Sequence, residues 1–181
     1  MKRSFFVLLV LISILMTLGT VQVVYSGNRD DDWNAIKQLG QIAENNLKKE
    51  QSTRDWTKSD QLTRTRVEAY IQLVTALEKY KQNYFNSKND KSSISYLKLL
   101  CRLGNCEELA DHQDVAMKYY KECLSHPQIN NKDVIYSGVT VKEYASVNLK
   151  KLEKFNPPDR GGGGGANESR GSGWKNIDTI W

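Results

Sequence analysis

Between residues 33 and 155 the apolar side chains recur at three- and four-residue steps, with charged and amide side chains between them. That period gathers apolar groups on one face of an α-helix, whereas a strand needs strict alternation. Trp33, Ile36, Leu39, Ala43 and Leu47 predict a first helix, with Asp30 to Asp32 placed to cap it and the polar stretch 48–59 closing it. Trp56 stands alone in that stretch, and two readings stay open: the first turn of the next helix, or a plug reaching a core from a loop. Val67, Tyr70, Ile71, Val74, Leu77, Tyr80 and Tyr84 trace a wide stripe. They predict the longest helix, from about Asp60 to Phe85, covered on more than one side.

Residues 86–93, rich in Asn, Ser, Lys and Asp, predict a turn. Ser92 or Ser93 is placed to cap a helix from Ile94 to about Ala110. Asp111 to Gln113 reads as a tight connection, and Asp114 as the cap of a helix that ends at Pro127. A polar loop over 128–132 and one irregular turn over Asp133 to Tyr136 follow. Thr140-Val141-Lys142-Glu143 is a capping box, in which the Thr hydroxyl accepts an early backbone N–H and the Glu carboxylate reaches back. It opens a last helix bearing Tyr144, Ala145, Leu149, Leu152 and Phe155, which Asn156-Pro157-Pro158 stops. The expected fold class is all-α, an antiparallel helix stack.

The two ends depart from this pattern. Lys2 and Arg3 precede an apolar run from Phe5 to Met16, and a weaker one continues to Tyr25. One reading is a signal peptide cleaved after Ser26. The other keeps residues 5–25 as a transmembrane anchor, since roughly 20 residues span a bilayer. Both place the rest of the chain outside the cytoplasm, because positive charge lies before the run and Asp30 to Asp32 after it. The expected product is membrane-anchored and single-pass, or secreted if cut. At the other end, Gly161 to Gly165 opens a flexible linker. It leads to Gly173-Trp174-Lys175-Asn176-Ile177-Asp178-Thr179-Ile180-Trp181, which reads as a loosely docked terminus or a short tethered binding peptide. Asn167-Glu168-Ser169 fits a glycosylation acceptor. The expected divisions are 1–26, a helical domain over 27–158, and the tail over 159–181.

Charge adds little. The formal charge is +5, of which Lys2 and Arg3 supply two, and basic residues interleave with acidic ones throughout. A nucleic-acid surface would cluster them on one face, so no nucleic-acid partner is expected. Cys101, Cys106 and Cys123 are odd in number and lack zinc-ligand spacing, so no metal is expected. Glu108 and His112, four apart, suit a surface ion pair. His112 and His126 stand at predicted helix ends. No nucleophile–base set, phosphate loop or carboxylate pair is visible, so the expectation is a non-catalytic protein without cofactors. Cys123, near the end of its helix, would lie opposite the early part of the preceding helix, making Cys101–Cys123 the expected disulfide in an oxidising compartment.

The stretch Leu103 to Pro127 carries Leu103-Gly104, then Ala116, Tyr120 and small Cys123, then Pro127. This resembles the tetratricopeptide repeat, a helix–turn–helix unit. Glycine lets the second helix approach, and small residues stand where the backbones cross. Echoes recur in Ala76 to Gln82, in Ala145, Leu149, Leu152 and Pro157, and in Leu39-Gly40. Glu107 replaces the aromatic that the family carries after Leu-Gly. The resemblance implies first helices lining a concave groove for a protein or peptide partner, with Lys98, Cys101, Arg102 and Asn105 as candidate contacts. An alternative function, a structural or effector protein acting through its tail, would use Trp174 and Trp181.

Overall fold

The computed structural model describes residues 26–132, 135–136 and 138–155. The expected anchor or signal over 5–25 and the tail with Trp174 and Trp181 lie outside the described residues. Within them the chain is almost entirely helical, as the period predicts: α1 Arg29–Ser52, α2 Trp56–Tyr84, α3 Lys88–Lys91, α4 Ile94–Leu109, α5 Gln113–Ser125 and α6 Val141–Phe155. Among the described residues no helix is long and apolar enough to cross a membrane.

Local chemistry explains the ends. Asn28 caps α1 by accepting the Asp30 N–H at 3.0 Å, so Asp30 to Asp32 fall in the first turn rather than before it. Carboxylates there sit favourably at the positive end of the helix dipole. Asp55 caps α2 from Thr57 N–H at 3.0 Å, which makes Trp56 the first helical residue. The expected turn at 86–93 contains the one-turn α3, closed by a reciprocal capping box between Ser87 and Asp90. Ser93 caps α4 through the Tyr96 N–H at 3.2 Å. His112, not Asp114, occupies the cap position of α5, without a side-chain bond, and Asp114 lies in the first turn. The box predicted at Thr140 and Glu143 forms in both directions. In place of an irregular turn, Ile135–Tyr136 pairs antiparallel with Val139–Thr140. Gly138, at φ +79°, turns that hairpin in a conformation few side chains tolerate.

Helices pack in chain order: α1 on α2, α2 on α4, α4 on α5 and α5 on α6, with α6 also reaching α4. Side chains fix the directions. Glu50, late in α1, bonds Arg66, early in α2, while Asp32 at the start of α1 accepts the Tyr84 hydroxyl at the end of α2. One continuous core results, with Ile36, Leu73, Leu77, Leu97, Leu103, Tyr120 and Ala145 buried together. Fully burying a leucine-sized side chain contributes about 1.5–3 kcal/mol. At the α4–α5 contact, a Cβ on Gly104 would lie 2.8 Å from Tyr120 Cε1, so the glycine makes room for the ring.

Candidate partner-binding face

Lys98, Arg102 and Asn105 follow one another at helical steps and share a half-buried strip of α4. The structure puts two of them to use within the fold. Arg102 lies over the Trp33 ring of α1, 5.0 Å from its centroid, and Trp33 in turn tilts against Tyr80 at 5.2 Å. Asn105 Oδ1 accepts the Tyr144 hydroxyl of α6 at 2.6 Å. One turn further, Glu108 pairs with Lys151 of α6 at 2.8 Å and accepts the Tyr120 hydroxyl at 3.2 Å. Alternate helices α1, α4 and α6 are therefore linked along one side of the stack. The Lys98 side chain forms no hydrogen bond or ion pair among the described residues. Cys101 is fully buried and does not belong to this face. Trp174 and Trp181 lie outside the described residues.

The expected Glu108–His112 pair is replaced by another. His112 Nδ1 meets the Glu107 carboxylate at 2.8 Å, and Glu107 is buried. The reason is the turn: α4 ends at Leu109 and Asp111 adopts φ +64°, so the four-residue helical spacing does not extend across it. His126 pins the other end of α5. Its Nδ1 accepts the Gln128 N–H at 3.1 Å, so its Nε2 carries the proton that is donated to the Lys91 carbonyl at 2.8 Å. All three cysteines are free thiols and buried. Burial, then the hydrogen bond and charge of Cys123, push the Cys101 thiol well above its ordinary range. Among the described residues, no three His, Cys, Asp or Glu side chains converge as a metal site would need.

Two polar residues with large structural roles have only a weak sequence signal. Arg66 is 4% exposed and holds three groups: Glu50 Oε2 at 2.6 Å, Asp111 Oδ2 at 3.0 Å and the Leu109 carbonyl at the end of α4. Asp32 is 1% exposed and accepts from Tyr84 Oη at 2.5 Å, Ser26 N at 2.7 Å and Ser26 Oγ at 3.2 Å. Burial pushes the Asp32 carboxyl up, but hydrogen bonds from Tyr84 and Ser26 outweigh it and leave the group below its ordinary value. Both residues stand one helical turn ahead of an apolar stripe, Arg66 before Tyr70 and Asp32 before Ile36. That placement marks a buried polar group that must find partners. No family model, no curated protein and no solved structure matches this chain.

Proposed function

We propose that the protein is an extracytoplasmic, membrane-tethered scaffold of tetratricopeptide-like helices that holds a protein or peptide partner and does no chemistry of its own. The observation that carries this reading is the alternation of contacts. Each helix packs on the next, while α1, α4 and α6 are joined by Arg102–Trp33, Tyr144–Asn105 and Lys151–Glu108. A right-left alternation of that kind leaves one helix of each pair on a shared side, where a partner meets a continuous surface. Further support comes from the interior. Arg66, Asp32, Glu107 and His126 bond to other groups of the fold, which is what structural polar residues do.

The test must avoid the residues that hold the stack together. Arg102→Ala and Asn105→Ala would each disturb an inter-helix contact as well as the surface. Lys98, and Lys37 one turn beyond Trp33, are half-buried and suit charge reversal better. Capture of the partner by full-length protein carrying Lys37→Glu and Lys98→Glu is expected to fall at least tenfold with an unchanged melting temperature. Unchanged capture excludes this face. Deletion of 159–181 gives the complementary reading: loss of capture with an intact helical spectrum transfers the activity to the tail.

A further inference from the structure

In an antiparallel helix pair, stepping back along one helix and forward along its partner reaches the next facing pair. Gly104 of α4 faces Tyr120 of α5, with the Tyr120 ring within 2.8 Å of where a Gly104 Cβ would lie. Three residues back on α4 stands Cys101, and three residues forward on α5 stands Cys123. The Cys123 Sγ accordingly meets the Leu97 carbonyl at 3.6 Å. That carbonyl is one turn before Cys101 and accepts its backbone N–H in a regular helix. The two side chains are fully buried, and Cys123 is the neighbouring group that raises the Cys101 thiol beyond the effect of burial. Cys106 is also buried, but the charges that act on it are those of Arg102, Glu107 and Glu44 rather than another thiol.

We infer that Cys101 and Cys123 form an intramolecular disulfide that staples α4 to α5 when the chain folds in the presence of a disulfide oxidant, and that Cys106 stays a thiol. This rests on helix packing alone and is independent of the proposed binding face. One cysteine, deprotonated, attacks a sulfur of the oxidant's disulfide and expels one oxidant thiolate. The second cysteine then attacks the resulting mixed disulfide and expels the other. Two protein thiols are oxidised, the oxidant is reduced to two thiols, and the two protons pass to them. Because burial keeps the Cys101 thiol protonated in the folded state and shields both sulfurs, the exchange takes place while the chain is still open. Once closed, the bond is shielded from reductant. It would constrain the 21 residues between the two cysteines in the unfolded chain.

The experiment is refolding of the full-length chain in a mixture of reduced and oxidised glutathione, alkylation without reductant, and peptide mapping. The expected product has a Cys101–Cys123 linked peptide with alkylation at Cys106 only. Its melting temperature should drop by several degrees on refolding in reductant, and Cys123→Ala should abolish that dependence. Three alkylated cysteines, glutathione adducts without a cross-link, or a bridge through Cys106 would each overturn the assignment. Mapping of the unmodified protein decides the matter even if the variant folds poorly.

Discussion

Replacing Arg66 with methionine keeps a long side-chain stem in place and removes the guanidinium that joins α1, α2 and the α4–α5 turn. Three acceptors lose a donor together. Glu50, whose side chain is 12% exposed, keeps the Thr63 hydroxyl at 2.6 Å but loses the Arg66 guanidinium. The Leu109 carbonyl loses a bond at the helix end, and Asp111, 46% exposed, regains water at little cost. Removing one partner of a buried ion pair costs about 3–5 kcal/mol. The residual Thr63 bond and the exposure of Asp111 place this site near the lower end, about 3 kcal/mol. Urea unfolding followed by far-UV circular dichroism reads this as a lower midpoint with an unchanged slope. Arg66→Lys should fall between the two, because a point-like ammonium cannot reach three acceptors in the fork geometry. A loss below about 1 kcal/mol for Arg66→Met would show that the guanidinium does not tie these helices, since that is the range of an exposed pair.

Gly104→Ala gains helix propensity of up to about 1 kcal/mol but drives a methyl group into the buried Tyr120 ring, which costs about 1–3 kcal/mol. Net destabilisation is expected in thermal melts, relieved when Tyr120→Leu is added; a more stable single variant would contradict the close approach. Tyr144→Phe and Asn105→Ala should show a coupling of about 0.5–1.5 kcal/mol in a double-mutant cycle, and strict additivity would separate α4 from α6. Asp32 has a folded-state carboxyl below its unfolded value, so its contribution to stability is present above about pH 4 and is lost as pH falls through the lower, folded value. Asp32→Asn should therefore flatten the acid side of the stability–pH profile, and an unchanged acid limb would remove Asp32 as its source.

The parts of this fold that sequence makes legible are those set within a few residues. Thr140 and Glu143 announce a capping box because both partners lie inside one turn. Gly104, Ala116, Tyr120 and Cys123 announce a close helix pair because their spacing matches the steps of two helices that touch. Boundaries are less legible where several residues compete for one role. Asn28 wins the cap of α1 over the three aspartates that follow, and this releases Asp32 to turn inward toward Tyr84. The Ser87–Asp90 box makes a helical turn out of residues whose composition equally suits a loop. The candidate face is legible as a strip of α4 but not as a set of contacts. Arg102 and Asn105 meet Trp33 and Tyr144 at separations of tens of residues, which no local spacing encodes. The Ser26 bonds to Asp32 likewise tie the expected cleavage point into the folded domain, so a cut after Ser26 would strip a buried carboxylate of two donors.

The most direct measurement of the central claim is site-specific cross-linking from the full-length chain. A photoreactive side chain placed at position 98, on the proposed face, is compared with one at position 118, where exposed Lys118 points away from the buried Ala116 and Tyr120 of α5. The proposed scaffold predicts one discrete adduct from position 98, none from position 118, and loss of that adduct when Lys37→Glu is added. Equal labelling from both positions, or an adduct from position 118 alone, would contradict it.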